Sequence, residues 1–346
     1  MSLTSFDRGW WARATHQIWW SVGYLTTLFA GLVLGAFEVR RSSGPFLAAS
    51  LAVLMVIVFA WLIRPRAALY ATVFLTAVSD ANTVWWFPFA KNLSSWESIS
   101  YVADSLAIRP VEISLVVGFT ITGVREFARH RRPIVVTELT WPIVAFTAFV
   151  VLGFLRGVGA SGGDMRIALF EGRALLYLLP VYCIAVAICT ESKHLRALFW
   201  AAICGVDVQS LLSLRHYFEL APAVRADLER LTEHGSAVGQ NLVLVALLGA
   251  ALFGGSRRVR WLLVLGAAPT LYVYLLAQRR AGIAALAVAI IMLFIALYWR
   301  RRRWFWAVAP ITAIAALVYL AAFWNSDATV AFPAQALKPV IAPNQA

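Results

Sequence analysis

Long apolar stretches separated by short charged clusters make up most of this chain. The stretches do not alternate polar and apolar residues as a half-buried strand does, and lipid offers no hydrogen-bond partners to an exposed backbone. A segment that crosses a bilayer must therefore form its own hydrogen bonds as a helix. The pattern predicts about eleven membrane-spanning helices, approximately at residues 22–37, 46–63, 67–78, 111–124, 140–155, 174–190, 198–214, 237–254, 261–276, 281–299 and 304–323.

The predicted fold class is accordingly all-α, a polytopic integral membrane helical bundle. Of the 346 residues, 61% are hydrophobic and 14% are charged, which excludes an ordinary soluble domain. No internal repeat or low-complexity linker divides the chain, so we expect residues 1–346 to form a single membrane domain. Two long loops, 79–110 and 215–235, fall on the same side of the predicted bundle, and most connections on the other side are short.

The basic residues predict the orientation. If the N-terminus is cytoplasmic, more than half of the 30 Lys and Arg residues, but few of the 17 Asp and Glu residues, lie inside. Cytoplasmic loops normally carry this excess of positive charge. We therefore expect a cytoplasmic N-terminus, an external C-terminus and external positions for both long loops. The formal charge of +13 is then a topology signal, and no nucleic-acid partner is expected.

Several arginines fall on the external side, where the positive-inside tendency does not account for them. Arg279 and Arg280 occupy a tight turn between two predicted spans, Arg173 opens the sixth span and Arg215 ends the seventh. A guanidinium group donates two parallel hydrogen bonds to phosphate oxygens, so these side chains are candidates for binding a diphosphate at the outer leaflet. The alternative is that they reach outer headgroups or pair with neighbouring carboxylates.

Other polar residues within or beside the spans are weaker candidates. Asp207, Gln209, Gln240 and Asn241 lie in predicted spans, where most polar side chains form hydrogen bonds between helices. His234 precedes the eighth span in an external loop and is a candidate base, although a single loop histidine is usually only solvated. The three cysteines have no ligand spacing, and no metal site is expected.

Four segments carry a family resemblance through their order and predicted side. They are Glu171–Arg173 at the entry to a span, His234–Asn241 at the start of a helix, Gln278–Gly282 with its arginine pair, and Phe323–Ala334 after the last span. Together they resemble the O-antigen ligase and polymerase family of bacterial membrane glycosyltransferases. The likeness extends from about the fourth span to the end of the chain.

The resemblance implies a multi-pass protein of the bacterial plasma (inner) membrane that acts in cell-surface polysaccharide biosynthesis. Such an enzyme transfers a glycan from undecaprenyl diphosphate to a hydroxyl of a lipid or glycan acceptor at the external face, without a nucleotide sugar, a cofactor or a required metal. If the family's residue roles are carried over to this sequence, Arg173 and Arg280 would bind the diphosphate and Arg279 would assist. Family members continue into a large external loop, so residues 324–346 are expected to be its truncated beginning.

Three other interpretations remain open at this stage. A polymerase of the same family would use a second lipid-linked glycan as its acceptor. A transporter of a lipidic or anionic substrate would favour paired discontinuous helices and inverted repeats, neither of which the sequence shows. The third is an inactive family member. In ligases the residue that activates the acceptor lies in the large external loop, of which only the beginning is expected in this sequence.

Overall fold

Helices account for all regular structure in the part of the chain that is described. The structure is a computed structural model. It describes residues 55–56, 58–80, 82–84, 89–95, 108–128, 136–160, 162–163, 168, 172, 175–226, 231–232, 235–326 and 329–341. The prediction of an all-helical membrane fold is confirmed at this level. The first predicted span, at residues 22–37, lies outside the described residues.

Each predicted span from the third to the eleventh coincides with a helix, and residues 58–63 of the second are helical. The helices are α1 Pro65–Val78, α2 Pro110–Ala128, α3 Thr140–Leu155, α4 Leu178–Ile188, α5 Ser192–Glu219, α6 Pro222–Ala226, α7 Ser236–Phe253, α8 Arg257–Ala277, α9 Arg280–Arg300, α10 Arg302–Phe323 and α11 Phe332–Ile341. A π-helical turn, Arg156–Ala160, extends α3, and a 3₁₀ turn, Thr329–Ala331, precedes α11. Helix α11 falls within the segment expected to begin the external loop.

Six of the described helices are long and apolar enough to cross a membrane: α3 with its π-helical extension, α5, α7, α8, α9 and α10. Helices α1 and α4 are apolar but shorter. The 14 residues of α1 rise about 21 Å, less than the roughly 30 Å of a bilayer core. The count of eleven spans and the orientation stay predictions.

Two of these helices bury none of their most apolar stretch inside the protein. This is the case for α3 and α10, whose side chains Phe149 and Leu317 are 74% and 66% exposed. A continuous apolar surface of this length would be costly in water but is the ordinary surface of a helix in lipid. Their exposure supports a membrane-embedded protein.

The described chain separates into two compact units. Unit 1 comprises Met1–Thr76 and Trp86–Phe199, and unit 2 comprises Ala77–Trp85 and Trp200–Ala346. The prediction of a single membrane domain stays a prediction.

Unit 1 is built around one buried tryptophan. The Trp61 side chain is fully buried, and its indole N–H donates a 3.0 Å hydrogen bond to the Ser114 hydroxyl of α2, which also bonds Thr72 of α1 at 2.7 Å. The ring lies against Gly118, where a β-carbon would come within 2.6 Å of it. Glycine at 118 therefore allows the tryptophan to pack directly on the α2 backbone. Ile184 of α4 belongs to the same core.

Unit 2 is built around α7, which packs against α8 and α9. Its core contains Ile203 and Val206 from α5, Val243 from α7 and Leu263 from α8. The carboxylate of Asp207 lies directly on the α8 backbone at Gly266, where a β-carbon would be 2.2 Å from the carboxylate oxygen Oδ2. Close backbone approach at small residues is a common way for membrane helices to pack.

Candidate functional site

The candidate site lies in unit 2, at the end where α5 and α8 finish and where α7 and α9 begin. Aromatic rings near the ends of α5 and α8 meet there, with Tyr217 and Tyr272 6.5 Å apart between ring centroids. Leu231, from the connection between α6 and α7, is buried against Val273 and Leu276 of α8. These contacts bring the predicted site segments of unit 2 to one end of the unit.

The turn between α8 and α9 presents two consecutive arginines. Helix α8 ends at Ala277, and Gln278 adopts a left-handed conformation with φ of 49°, which stops the helix. Arg279 is then extended, and α9 begins at Arg280. Because the turn is this short, both arginines lie at the N-terminus of α9, where backbone N–H groups and the helix dipole also favour an anion.

The two arginines have different surroundings. Arg279 is half-buried, and its Nη2 donates a 2.8 Å hydrogen bond to the backbone carbonyl of Thr232. The Arg280 side chain is exposed and forms no ion pair with any residue in the described part of the chain. Arg279 therefore ties the turn to the segment before α7, and Arg280 is left available to a ligand.

The start of α9 is also fixed by a polar contact with α7. The Asn241 side-chain amide donates a 3.0 Å hydrogen bond to the backbone carbonyl of Gly282. A β-carbon at 282 would come within 3.0 Å of the Ala237 β-carbon and 3.5 Å of the Tyr274 ring, so glycine allows α9 to approach α7 and α8 closely. These contacts leave little freedom for the Arg279–Arg280 turn.

Several buried polar atoms near this turn have no hydrogen-bond partner among the described residues. They are both amide atoms of the fully buried Gln240, Oδ1 of Asn241 and Oγ1 of Thr232. Buried polar atoms are nearly always paired, so each exception needs an explanation. Thr232 and Asn241 also bond the arginine turn, through the Thr232 carbonyl and the Asn241 amide nitrogen, so the interior beside the turn is polar.

A buried carboxylate organises the same end of unit 2 and was not predicted as a site residue. Asp80 is fully buried. Its Oδ1 accepts hydrogen bonds of 3.0 Å from the Thr83 backbone N–H and 3.1 Å from the Thr83 hydroxyl. Its Oδ2 accepts from the Ser236 hydroxyl at 2.5 Å and from the Gln209 amide at 3.5 Å. Asp80 thus joins the loop after α1 to α5 and to the start of α7.

Of the other residues predicted for the site, the structure describes Arg215 and Asp207. Arg215 is exposed, and its Nε lies 2.8 Å from the Glu219 carboxylate one turn further along α5. It therefore forms the local pair named as the alternative. Asp207 accepts a 3.3 Å hydrogen bond from the Thr270 hydroxyl, a bond between α5 and α8. Arg173 and His234 lie outside the described residues.

A further arginine near this end was not among the candidates. Arg225 of α6 donates hydrogen bonds of 2.8 Å to the Leu220 carbonyl and 3.0 Å to the Phe218 carbonyl, and its guanidinium lies 5.7 Å from the centroid of the Tyr217 ring. Its donors serve mainly to cap the end of α5.

No group of three or more His, Cys, Asp or Glu side chains within the described ranges is placed to hold a metal ion.

Comparisons of the chain with protein-family models, with curated proteins and with solved structures found no match.

Proposed function

We propose that this protein is an O-antigen ligase-like glycosyltransferase of the bacterial plasma membrane. It transfers a glycan from undecaprenyl diphosphate to a hydroxyl of a lipid or glycan acceptor at the external face. The observation that carries the proposal is the arginine turn: Arg279 is anchored to the Thr232 carbonyl, and Arg280 is exposed at the start of α9. A rigid backbone that presents an available guanidinium group beside a helix N-terminus is suited to a diphosphate.

In the proposed mechanism, Arg280 pairs with the diphosphate oxygens and Arg279 holds the turn in place while adding positive charge. The acceptor hydroxyl attacks the anomeric carbon, a new carbon–oxygen bond forms, and the bond from that carbon to the diphosphate oxygen breaks. The guanidinium groups stabilise the charge that develops on the departing diphosphate. A base takes the proton from the acceptor hydroxyl. His234, which precedes α7 in the sequence, is our candidate for this base, and Arg173 is our candidate for a second diphosphate contact.

The proposal includes the finer topology, with about eleven spans, a cytoplasmic N-terminus and an external site. The turn at Gln278 is then external and the turn at Ser256 cytoplasmic. Single cysteines at these two positions, in a chain without its three native cysteines, test this orientation. An impermeant maleimide should label Gln278→Cys in intact cells and Ser256→Cys only after permeabilisation. The reverse pattern would contradict the orientation.

The function is tested in cells that lack the chromosomal gene and carry a plasmid copy. Arg280→Gln should abolish the surface glycan, because a neutral amide cannot replace the guanidinium charge, and Arg280→Lys should restore part of it. Arg258→Gln is the matched control, since Arg258 is exposed at the opposite end of α8. Normal surface glycan in the Arg280→Gln strain, with the protein present in the membrane, would overturn the proposal.

The glycan that accumulates when the protein is lost distinguishes a ligase from a polymerase and from a transporter. Loss of a ligase leaves full-length glycan on undecaprenyl diphosphate at the external face. Loss of a polymerase leaves acceptors that carry a single repeat unit. Loss of a transporter leaves the lipid-linked glycan on the cytoplasmic leaflet, where an impermeant glycosidase in intact cells does not reach it.

A further inference from the structure

Unit 1 contains a cavity of about 640 Å³ that the proposed transfer reaction does not use. It lies where α1 and α5 begin and where α2 and α4 end. Ligand pockets in proteins commonly enclose about 300–1,000 Å³, so the cavity is large enough for a small molecule or a lipid headgroup. The polar residues that line it are Arg64, Arg66, Tyr70, Thr122, Arg125, Glu126 and His194.

The charge of the lining is predominantly positive. Three arginines face one glutamate, a net formal charge of 3 − 1 = +2. Arg64 and Arg66 are exposed at the rim, and neither forms an ion pair with a residue in the described ranges. Arg125 is anchored, since its guanidinium donates a hydrogen bond to the Leu62 carbonyl. The cavity opening therefore has two exposed cationic side chains beside an anchored one.

Two buried polar atoms in the lining have no hydrogen-bond partner among the described residues. One is the hydroxyl of Thr122, a residue that is only 7% exposed. The other is Nε2 of His194, which lies 3.8 Å from the nearest Glu191 carboxylate oxygen, beyond hydrogen-bond distance. The opposite ring nitrogen of His194 bonds the Tyr70 hydroxyl at 2.8 Å, which fixes the ring. When Tyr70 donates to Nδ1, the Nε2–H is a donor, and the Thr122 hydroxyl is a second one.

Basic residues at the opening of the cavity also affect the pKa of Glu191, in the loop before α5. The Lys193 ammonium, 2.6 Å from the Glu191 carboxylate, lowers the pKa of that carboxyl, and the positive charge of Arg66 acts in the same direction. Basic residues that serve only to set topology need neither a cavity nor buried donors. The arrangement here has both, together with arginines at its opening.

We propose that this cavity binds a phosphate group, with Arg64 and Arg66 pairing with its oxygens and with Thr122 and His194 donating to it from within. The group belongs either to an anionic phospholipid headgroup or to a soluble phosphate. Guanidinium groups and neutral donors together recognise phosphate in both cases. The proposed transfer reaction uses none of the residues that line this cavity. In the proposed orientation the cavity opens towards the cytoplasmic leaflet.

The test measures binding to the purified full chain in a non-ionic detergent, with two probes. The first is dioleoyl phosphatidylglycerol, with dioleoyl phosphatidylcholine as the neutral reference, and the second is inorganic phosphate, alone and as a competitor. We expect saturable binding of one equivalent of at least one anionic probe. If inorganic phosphate does not displace bound phosphatidylglycerol, the cavity is a site for lipid. Direct saturable binding of inorganic phosphate identifies a site for soluble phosphate.

Three variants make the test specific. The double variant Arg64→Gln/Arg66→Gln should weaken binding at least tenfold, and Thr122→Val, which replaces one hydroxyl with a methyl group, should weaken it several-fold. The control Arg257→Gln/Arg258→Gln removes two exposed arginines from the start of α8 and should change the affinity less than twofold. Absence of saturable binding for both anionic probes would overturn the proposal. Equal losses in the rim and control variants, with no loss in Thr122→Val, would also overturn it.

Discussion

Arg279 and Thr232 are joined by a 2.8 Å hydrogen bond from the guanidinium Nη2 to the backbone carbonyl, 47 residues apart in the chain. This bond connects the turn that starts α9 to the segment that precedes α7. The adjacent Arg280 is exposed and has no such tie within the described ranges. Neighbouring arginines of the same turn therefore have separable roles, one structural and one available to a ligand.

The first prediction follows from this difference. Arg279→Gln should lower the stability of the protein by about 1.5–3 kcal/mol, the usual contribution of a hydrogen bond with a charged partner. Arg280→Gln should change stability by less than about 0.5 kcal/mol, as exposed substitutions normally do. The measurement is the midpoint of thermal denaturation in detergent. Equal losses in the two variants would show that the surroundings of these side chains are not as described.

The second prediction concerns the buried carboxylate. Asp80→Ala removes the acceptor of the Thr83 backbone N–H and of the Ser236 hydroxyl, and each buried unpaired group costs about 1–3 kcal/mol. We expect this variant to accumulate poorly in the membrane. Ser236→Ala removes one donor while leaving the carboxylate with its other partners, so it should accumulate almost normally. Near-normal accumulation of Asp80→Ala would contradict the prediction.

The third prediction concerns the contact of Gly118 with Trp61. Gly118→Ala places a methyl group within 2.6 Å of the indole ring, and overpacking of this kind costs about 1–3 kcal/mol. Gly123→Ala in the same helix is the matched control, because nothing lies within 4 Å of a β-carbon there. Alanine is the better helix former by about 1 kcal/mol, so the control should be neutral or stabilising. Thermal midpoints that fall in the first variant but not in the second would confirm the contact.

The fourth prediction tests the membrane location of α10. Ile314 lies near the middle of this helix with 61% of its side chain exposed, and Trp304 lies at its first turn with 60% exposed. Ile314→Arg should reduce membrane integration, because an arginine at the centre of a bilayer costs about 2.5–3.5 kcal/mol even on the lowest scale. Trp304→Arg should be tolerated beside the basic residues at the helix start. Equal amounts of both variants in alkali-washed membranes would indicate that α10 does not cross the bilayer.

The helices were largely predictable from the sequence because the length of an apolar run must match the thickness of lipid. The eighth predicted span, residues 237–254, corresponds to Ser236–Phe253, and the last, 304–323, to Arg302–Phe323. Helix α5 is longer than its predicted span of 198–214, since it continues through polar residues to Ser192 and Glu219. Hydrophobicity alone does not show that a helix continues through polar residues at its ends.

The site was predictable only where local sequence determines it. The arginine turn stands out because two charges interrupt adjacent apolar stretches. Asp80 did not stand out, because its partners Gln209 and Ser236 are 129 and 156 residues away in the chain. The sequence Asp80–Thr83 after a helix is typical of a side chain that bonds nearby backbone N–H groups, and this was the available local signal. Long-range pairing of this kind has no periodic pattern from which it can be predicted.

The most direct test of the central proposal is glycan transfer by the purified chain in liposomes that contain the undecaprenyl-diphosphate-linked glycan and a lipid acceptor. Mass spectrometry measures the rates at which glycosylated acceptor and undecaprenyl diphosphate appear. We expect both products to form at equal rates with the unchanged protein and with Arg258→Gln. With Arg280→Gln they should form at least about 100-fold more slowly, because a group that stabilises developing charge is lost. Equal rates for Arg280→Gln and the unchanged protein, or no transfer by the unchanged protein, would contradict the proposal.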